Sequence, residues 1–182
     1  MKEIRWHGRG GQGAVVGARV LAASIIKEGK SAVALPKFGA ERRGAPVVAY
    51  NKLDDAPIRE KTQVYYPDCL VVIDPRLMRS VNVFEGIKED SILVLDSSEI
   101  KISQYHKNLR LVGVVDGTRI ALEEIGRQIT NICMLGAFAR TTGWVQLDSI
   151  LSSLGEYFSG TVLQKNIKCA QRGYEETKII RF

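Results

Sequence analysis

The stretch Trp6-His7-Gly8-Arg9-Gly10-Gly11-Gln12-Gly13 lies between a strand-like run, Glu3 to Trp6, and a helix-like run, Ala14 to Ile26, and constrains the fold more than any other segment. Four glycines within Gly8 to Gly13 let the backbone take positive φ and bring its N–H groups close to a partner, because no Cβ intervenes. The helix that follows directs its positive end back at the turn, and amides plus helix terminus favour an anion such as a phosphate or carboxylate. Arg9 adds a guanidinium, and Gln12 an amide that both donates and accepts. A second reading stays open: such a turn also forms simply to fold a helix tightly back onto a sheet.

Two nucleotide classes are disfavoured. A dinucleotide-binding unit needs an Asp or Glu about 20 residues beyond the glycines, at the end of its second strand, to hold the ribose hydroxyls. Here that strand, Ser31 to Leu35, runs into Pro36-Lys37, and no acid is present. The Gly-x-x-x-x-Gly-Lys-Ser/Thr loop of phosphate-hydrolysing nucleotidases does not occur either.

Hydrophobic spacing sets the rest of the frame. Ala14, Val15, Ala18, Leu21, Ala22 and Ile25 recur at helical intervals, and Gly29 ends the helix. Strands are expected at Val47 to Asn51, Cys69 to Ile73, Ser91 to Leu95 and Leu109 to Val115. The last three are followed by, or run into, Asp74, Asp96 and Asp116. Those aspartates read as caps or turn formers first and as ligands second. Helices are expected at Thr118 to Ile125, Asn131 to Thr142, Leu147 to Phe158 and Val162 to Thr177. The alternation predicts an α/β fold: a single doubly wound, mostly parallel sheet with helices on both faces. The 182 residues suit one domain spanning 1–182.

Charge and cysteine usage exclude several functions. The net charge is +6, but the basic residues are spread along the chain, so no nucleic-acid partner is expected. Lys2, Glu3 and Arg5 interrupt any apolar leader, and no stretch approaches the length of a membrane span, so a cytoplasmic protein without membrane contact is expected. Cys69, Cys133 and Cys169 are widely separated and form no Cys-x-x-Cys pair, so buried reduced thiols are expected rather than a zinc or cluster site.

The segment Lys37-Phe38-Gly39-Ala40-Glu41-Arg42-Arg43-Gly44-Ala45-Pro46 is the second concentration of charge. It reads either as a solvated turn or, following the second strand of a doubly wound sheet, as a cationic loop beside the glycine turn. Arg42 and Arg43 offer forked donors suited to phosphate or carboxylate.

Together, Gly8-Arg9-Gly10-Gly11-Gln12-Gly13 and Phe38 to Pro46 resemble the gamma subunit of the 2-oxoacid:ferredoxin oxidoreductases, the pyruvate synthase group. Pro67-Asp68, Ile73-Asp74, Asn131 with Met134-Leu135-Gly136-Ala137, and Arg172-Gly173-Tyr174-Glu175 extend the resemblance over nearly the whole chain. It implies a component, inactive alone, of a complex that decarboxylates a 2-oxo acid, with pyruvate slightly favoured. Such a complex passes electrons to ferredoxin and forms acyl-coenzyme A. Thiamine diphosphate, Mg²⁺ and iron–sulfur clusters are then expected in alpha, beta and delta partner subunits, and no cofactor bound by this chain alone. Coenzyme A is the expected substrate at this subunit, with Gly8, Arg9, Gly10, Gly11, Gln12, Gly13, Lys37, Arg42 and Arg43 as candidates for its phosphates. The same loops can instead dock partner subunits. A stand-alone nucleotide- or acyl-coenzyme-A-binding α/β protein is the alternative. His7 is read as a base or as a residue orienting the turn; Trp6 and Trp144 as core or interface; Tyr65-Tyr66 as a strand edge or partner contact.

Overall fold

The computed structural model describes residues 1–37, 43–101 and 105–182. Its strands are β1 (Lys2–Arg9), β2 (Ser31–Pro36), β3 (Pro46–Asp54), β4 (Cys69–Val72), β5 (Ser91–Asp96), β6 (Leu109–Val115) and β7 (Lys178–Arg181). They form one seven-stranded sheet in the order β2-β3-β1-β4-β5-β6-β7. The helices are α1 (Ala14–Lys27), α2 (Gly117–Glu124), α3 (Asn131–Thr142), α4 (Leu147–Leu154) and α5 (Gly160–Glu176), with a short 3₁₀ turn at Pro75–Arg79.

The expected α/β class and single sheet are present, and two details differ. The sheet is mixed rather than mostly parallel: β1-β4, β4-β5 and β5-β6 are parallel, whereas β2-β3, β3-β1 and β6-β7 are antiparallel. The chain returns from β2 directly into β3, which inserts between β2 and β1 instead of leaving those two adjacent. The second difference concerns the helices. Side chains alternate across each strand, and residues of all five α-helices cluster with Ile4, Trp6, Val71, Ile92 and Val94 on one face. The other face carries Leu70, Val72, Leu93 and Leu95 under Val83, Ile87, Met78 and Phe84, which belong to the 3₁₀ turn and the loop after it.

Handedness explains this arrangement. Parallel crossovers are right-handed, so the β1-to-β2 connection, which moves one way along the sheet, lies on the opposite face from the β4-to-β5 connection, which moves the other way. Crossovers therefore cover both faces, but only the α1 side is α-helical. Residues 73–90 cross as a 3₁₀ turn and loops.

Close helix packing accounts for two of the sequence motifs. A Cβ on Gly136 would overlap the backbone oxygen of Ala170, and one on Gly173 would overlap that of Cys133, so α3 and α5 approach at backbone distance through paired glycines. Arg172 ties α5 to α2 instead, with Nε 2.7 Å from Glu176 Oε1 on its own helix and Nη1 2.9 Å from Glu124 Oε1 on α2.

Candidate functional site

β1, β4, β5 and β6 end at one sheet edge, and the glycine turn continues from β1 there into α1. Gly11 has φ +91° and Gly13 φ +80°, a region that L side chains occupy at a cost. Among the described residues a Cβ on Gly11 would meet nothing within 4 Å, so its requirement there is conformational. A Cβ on Gly13 would lie 2.5 Å from Asn131 Nδ2, which itself donates to Gly13 O at 3.1 Å. Gly8 is packed against Ala14, Ile73 and Gln12. α1 begins with no side-chain cap and no acidic residue in its first turn. The first-turn amides of a helix lack intrahelical acceptors.

The second loop reaches this turn, through its far end. Gly10 N donates to Ala45 O at 2.9 Å, and Gly44 N donates to Gly10 O at 3.2 Å, prolonging the β1-β3 ladder beyond Arg9 and Pro46. The juxtaposition expected from β2 is thus delivered by the start of β3. Arg43 is exposed beside Gly44, and Lys37 is exposed at the end of β2 with its N–H on Val48 O. Arg42, with Phe38 to Glu41, lies outside the described residues.

Asp74 organises the base of the turn. Its Oδ2 accepts from Arg9 Nε at 3.0 Å, Gln12 Nε2 at 3.3 Å and Arg76 Nη2 at 2.7 Å, and its Oδ1 accepts from Arg76 N and Nε. Hydrogen bonds from Arg76 are the main cause that holds the Asp74 carboxyl down at about 2, against the opposing effect of burial. Arg9 also donates to Gly44 O at 3.0 Å, and Gln12 Oε1 accepts from Arg9 N at 2.6 Å. Arg9 and Gln12 are therefore engaged in shaping the two loops. Arg9 N, Gly10 N and Gln12 N are bonded within the two loops, so the donors that remain among the described residues are the exposed Lys37 and Arg43 side chains and the amides of Gly11 and Gly13.

Beside the turn is a crevice of about 260 Å³ whose lining includes Gln12, Asp74, Arg76, Thr118, Gln128 and Thr130. Gln12 precedes α1, Thr118 opens α2 and Thr130 precedes α3, so three helix N-termini surround it. Thr130 Oγ1, in this lining, and Asn131 Oδ1, behind Gly13, are buried without hydrogen-bond partners among the described residues. Asp116 caps α2 through Arg119 N, and Asp96 accepts from Thr118 N and Oγ1 at 3.1 and 2.8 Å. Burial raises the Asp96 carboxyl to about 6 even against those bonds. All three strand-end aspartates act as caps, and Asp74 also ties the turn together.

Other candidates separate from the turn. His7 is buried on the opposite face from Trp6, with Nε2 accepting from Arg5 Nε at 3.1 Å. Burial, reinforced by Arg5 and Lys37, lowers it to about 3, so it is neutral and part of a core network rather than the turn. Trp6 is fully buried and donates to Asn51 Oδ1. Trp144 packs edge-on against Phe138, and Tyr65 and Tyr66 are exposed.

The three cysteines are free and buried, and burial pushes the thiols up, to about 11 at Cys169. No three His, Cys, Asp or Glu side chains gather around a metal-sized site among the described residues. Three separate buried thiols do not fit an iron–sulfur cluster. Among the described residues no helix is long and apolar enough to cross a membrane. Asn131 and Asp74 escaped assignment to the site from sequence, because their part in it depends on contacts with residues more than 60 positions away.

The family described as pyruvate ferredoxin/flavodoxin oxidoreductase matches residues 3–176. The common subunit gamma of pyruvate/ketoisovalerate oxidoreductases from Pyrococcus abyssi is 46% identical over 98% of both chains. The gamma subunit of NADH-dependent phenylglyoxylate dehydrogenase from Aromatoleum evansii is 45% identical, covering 98% of this chain and 95% of that one. The crystal structure of pyruvate oxidoreductase subunit PORC from Thermotoga maritima superposes with a TM-score of 0.86 at 41% identity, over 98% of this chain and 97% of the other.

Proposed function

Because this chain belongs to the pyruvate ferredoxin/flavodoxin oxidoreductase family, as a gamma subunit of a multi-subunit 2-oxoacid oxidoreductase, we propose that it contributes a phosphate-holding surface for coenzyme A and a docking surface for its partner subunits, and has no turnover alone. The observation that carries this reading is the stitching of Gly44 and Ala45 onto Gly10 beside the uncapped start of α1. Open amides, Lys37 and Arg43 then face the same sheet edge, which suits a phosphate ester. Arg9 joins the two loops through Gly44 O and, with Gln12, anchors the glycine turn on Asp74.

Catalysis belongs to other chains in this account. Thiamine diphosphate, Mg²⁺ and iron–sulfur clusters are assigned to alpha, beta and delta-type partners, which pass electrons to ferredoxin. The substrate is a 2-oxo acid of the pyruvate class, selected near the thiamine. The names of the relatives, which include pyruvate/ketoisovalerate and phenylglyoxylate enzymes, accord with a shared gamma subunit design that does not itself choose the acid. An acceptor thiol is needed whichever acid is used. Membership in a family of complex subunits disfavours a stand-alone binding protein.

The test is Arg42→Ala or Arg43→Ala in the assembled complex, with apparent KM measured for coenzyme A and for the 2-oxo acid beside a size-exclusion profile. Loss of a charge-assisted phosphate contact costs about 1.5 to 3 kcal/mol, a roughly tenfold to hundredfold rise confined to the coenzyme A constant. An intact complex with an unchanged coenzyme A constant in both variants removes the phosphate role and leaves docking.

A further inference from the structure

The amides that the glycine turn presents move with α1. Gly13 is the N-cap of that helix and Gly11 lies two residues before it, so the way α1 is seated on the sheet sets where both N–H groups sit. The seat is Trp6. A Cβ on Gly17 would lie 3.2 Å from Trp6 Cζ3 and 3.4 Å from Cη2, tighter than ordinary contact, and Gly17 has no positive φ that would call for glycine. Its bare backbone serves approach, letting α1 settle onto the indole.

Height along the helix is fixed by one fully buried side chain. Asn51, on β3, donates through Nδ2 to Ala18 O at 2.8 Å and to Val33 O at 3.1 Å, and its Oδ1 accepts from Trp6 Nε1 at 2.8 Å. Both amide hydrogens are used, and β1, β2, β3 and α1 meet at one carboxamide. Burial alone does not explain this residue. Leucine has the same branched outline and would add apolar area beside Ile4, Leu53 and Ile25 in the same core cluster. A carboxamide there costs desolvation, and what it gives in return is direction. Ala18 lies five residues along α1 from Gly13, about 7.5 Å at the rise of a helix. A bond that fixes Ala18 O therefore fixes the turn's amides through a rigid element, and a binding constellation needs them held to about 0.5 Å.

We propose that Asn51 is a positioning residue for coenzyme A: without touching the ligand, it holds α1 against Trp6 at the height that aims the Gly11 and Gly13 amides at the coenzyme's phosphates. The proposal rests on the reading that those phosphates are held at the glycine turn.

The test measures apparent KM for coenzyme A and for the 2-oxo acid, with kcat and Tm, on the assembled complex carrying Asn51→Leu, Gly17→Ala or Ile92→Ala. Asn51→Leu keeps the outline and removes all three bonds. Gly17→Ala keeps the bonds and lifts α1 from Trp6 by a few tenths of an ångström, and Ile92→Ala opens a cavity in the same core cluster on β5. Asn51→Leu is expected to raise the coenzyme A constant about tenfold, as loss of one charge-assisted contact would, and Gly17→Ala about threefold. The 2-oxo acid constant and kcat should stay within about twofold of wild type. Ile92→Ala lowers Tm and is expected to leave the coenzyme A constant unchanged. If Asn51→Leu alone fails to assemble, Gly17→Ala decides. Coenzyme A constants that rise no more in Asn51→Leu and Gly17→Ala than in Ile92→Ala, while Arg43→Ala raises its own, overturn the positioning role and leave the phosphate reading standing. An unchanged constant in Arg43→Ala as well overturns both. Failure of Asn51→Leu and Gly17→Ala to assemble where Ile92→Ala assembles makes these contacts purely structural and also overturns the proposal.

Discussion

Gly13→Ala isolates the claim that the glycine turn is specified by its own conformation and by α3 behind it. Gly13 sits at φ +80°, where an L residue costs about 1 to 2 kcal/mol. Its new Cβ would also stand 2.5 Å from Asn131 Nδ2, well inside contact distance. Asn131 must then move, giving up its bond to Gly13 O, and such overpacking adds about 1 to 3 kcal/mol. The expected total is about 3 kcal/mol, which for a chain of this size lowers Tm by roughly 6 to 12 °C. Gly11→Ala is the control. Its φ is +91° but no atom of the described residues lies within 4 Å of the added Cβ, so the conformational cost of about 1 to 2 kcal/mol applies. Calorimetry or urea titration of wild type, both variants, Asn131→Ala and the Gly13→Ala/Asn131→Ala pair forms a double-mutant cycle. A coupling of about 1 to 2 kcal/mol, relieving the clash, is expected. The reasoning is refuted if Gly13→Ala costs no more than Gly11→Ala and shows no coupling to Asn131.

Three further outcomes follow from burial and packing. His7, lowered in the fold from 6.5 to about 3, takes up its proton more readily when unfolded; the wild type therefore loses about 3 to 5 kcal/mol through this group as pH falls from about 6.5 towards 3, and subtracting the stability-versus-pH curve of His7→Gln should expose that slope. Asp96 has the opposite sign, because a folded pKa raised from 3.8 to about 6 makes its charged form a burden that accumulates as pH rises from 3.8 to about 6 and stays constant above. Asp96→Asn should accordingly raise stability by about 1 to 3 kcal/mol at pH 7.5 and flatten the curve between pH 4 and 6, and a loss of stability at pH 7.5 would show that the carboxylate's bonds to Thr118 outweigh its burial. Gly173→Ala should cost about 3 kcal/mol or more by separating α5 from Cys133, whereas Gly155→Ala, with nothing within 4 Å and ordinary φ, should be neutral or stabilising in the same unfolding assay.

Periodicity located most elements because their burial is regular. Leu109–Val115 and Asn131–Thr142 match their expected bounds, and α1 extends one residue beyond Ile26. Direction and neighbourhood were not legible, because a strand's alternation is the same whichever way it runs. Val47 to Asn51 therefore read as a strand without revealing that β3 lies antiparallel between β2 and β1. Lys178–Arg181 carries two apolar residues flanked by charges, too short a pattern to distinguish from the end of α5, yet it pairs with β6 at the sheet edge. The glycine turn and the loop ending at Gly44 were visible as composition. Their union depends on backbone bonds from Gly10, and the roles of Arg9 and Gln12 turned on Asp74, whose engagement no local sequence rule specifies. Gly136 and Gly173 likewise gained a reason only when α3 and α5 were seen in contact.

The central claim, that backbone amides of this subunit's glycine turn and the cationic loop hold the phosphates of coenzyme A, is tested most directly by hydrogen exchange on the assembled complex with and without the coenzyme. Peptides covering residues 8–16 and 37–46 should exchange more slowly when coenzyme A is present, since amides that donate to a phosphate are withdrawn from solvent. Unchanged exchange in both peptides, in a complex that turns over coenzyme A under the same conditions, would contradict the account.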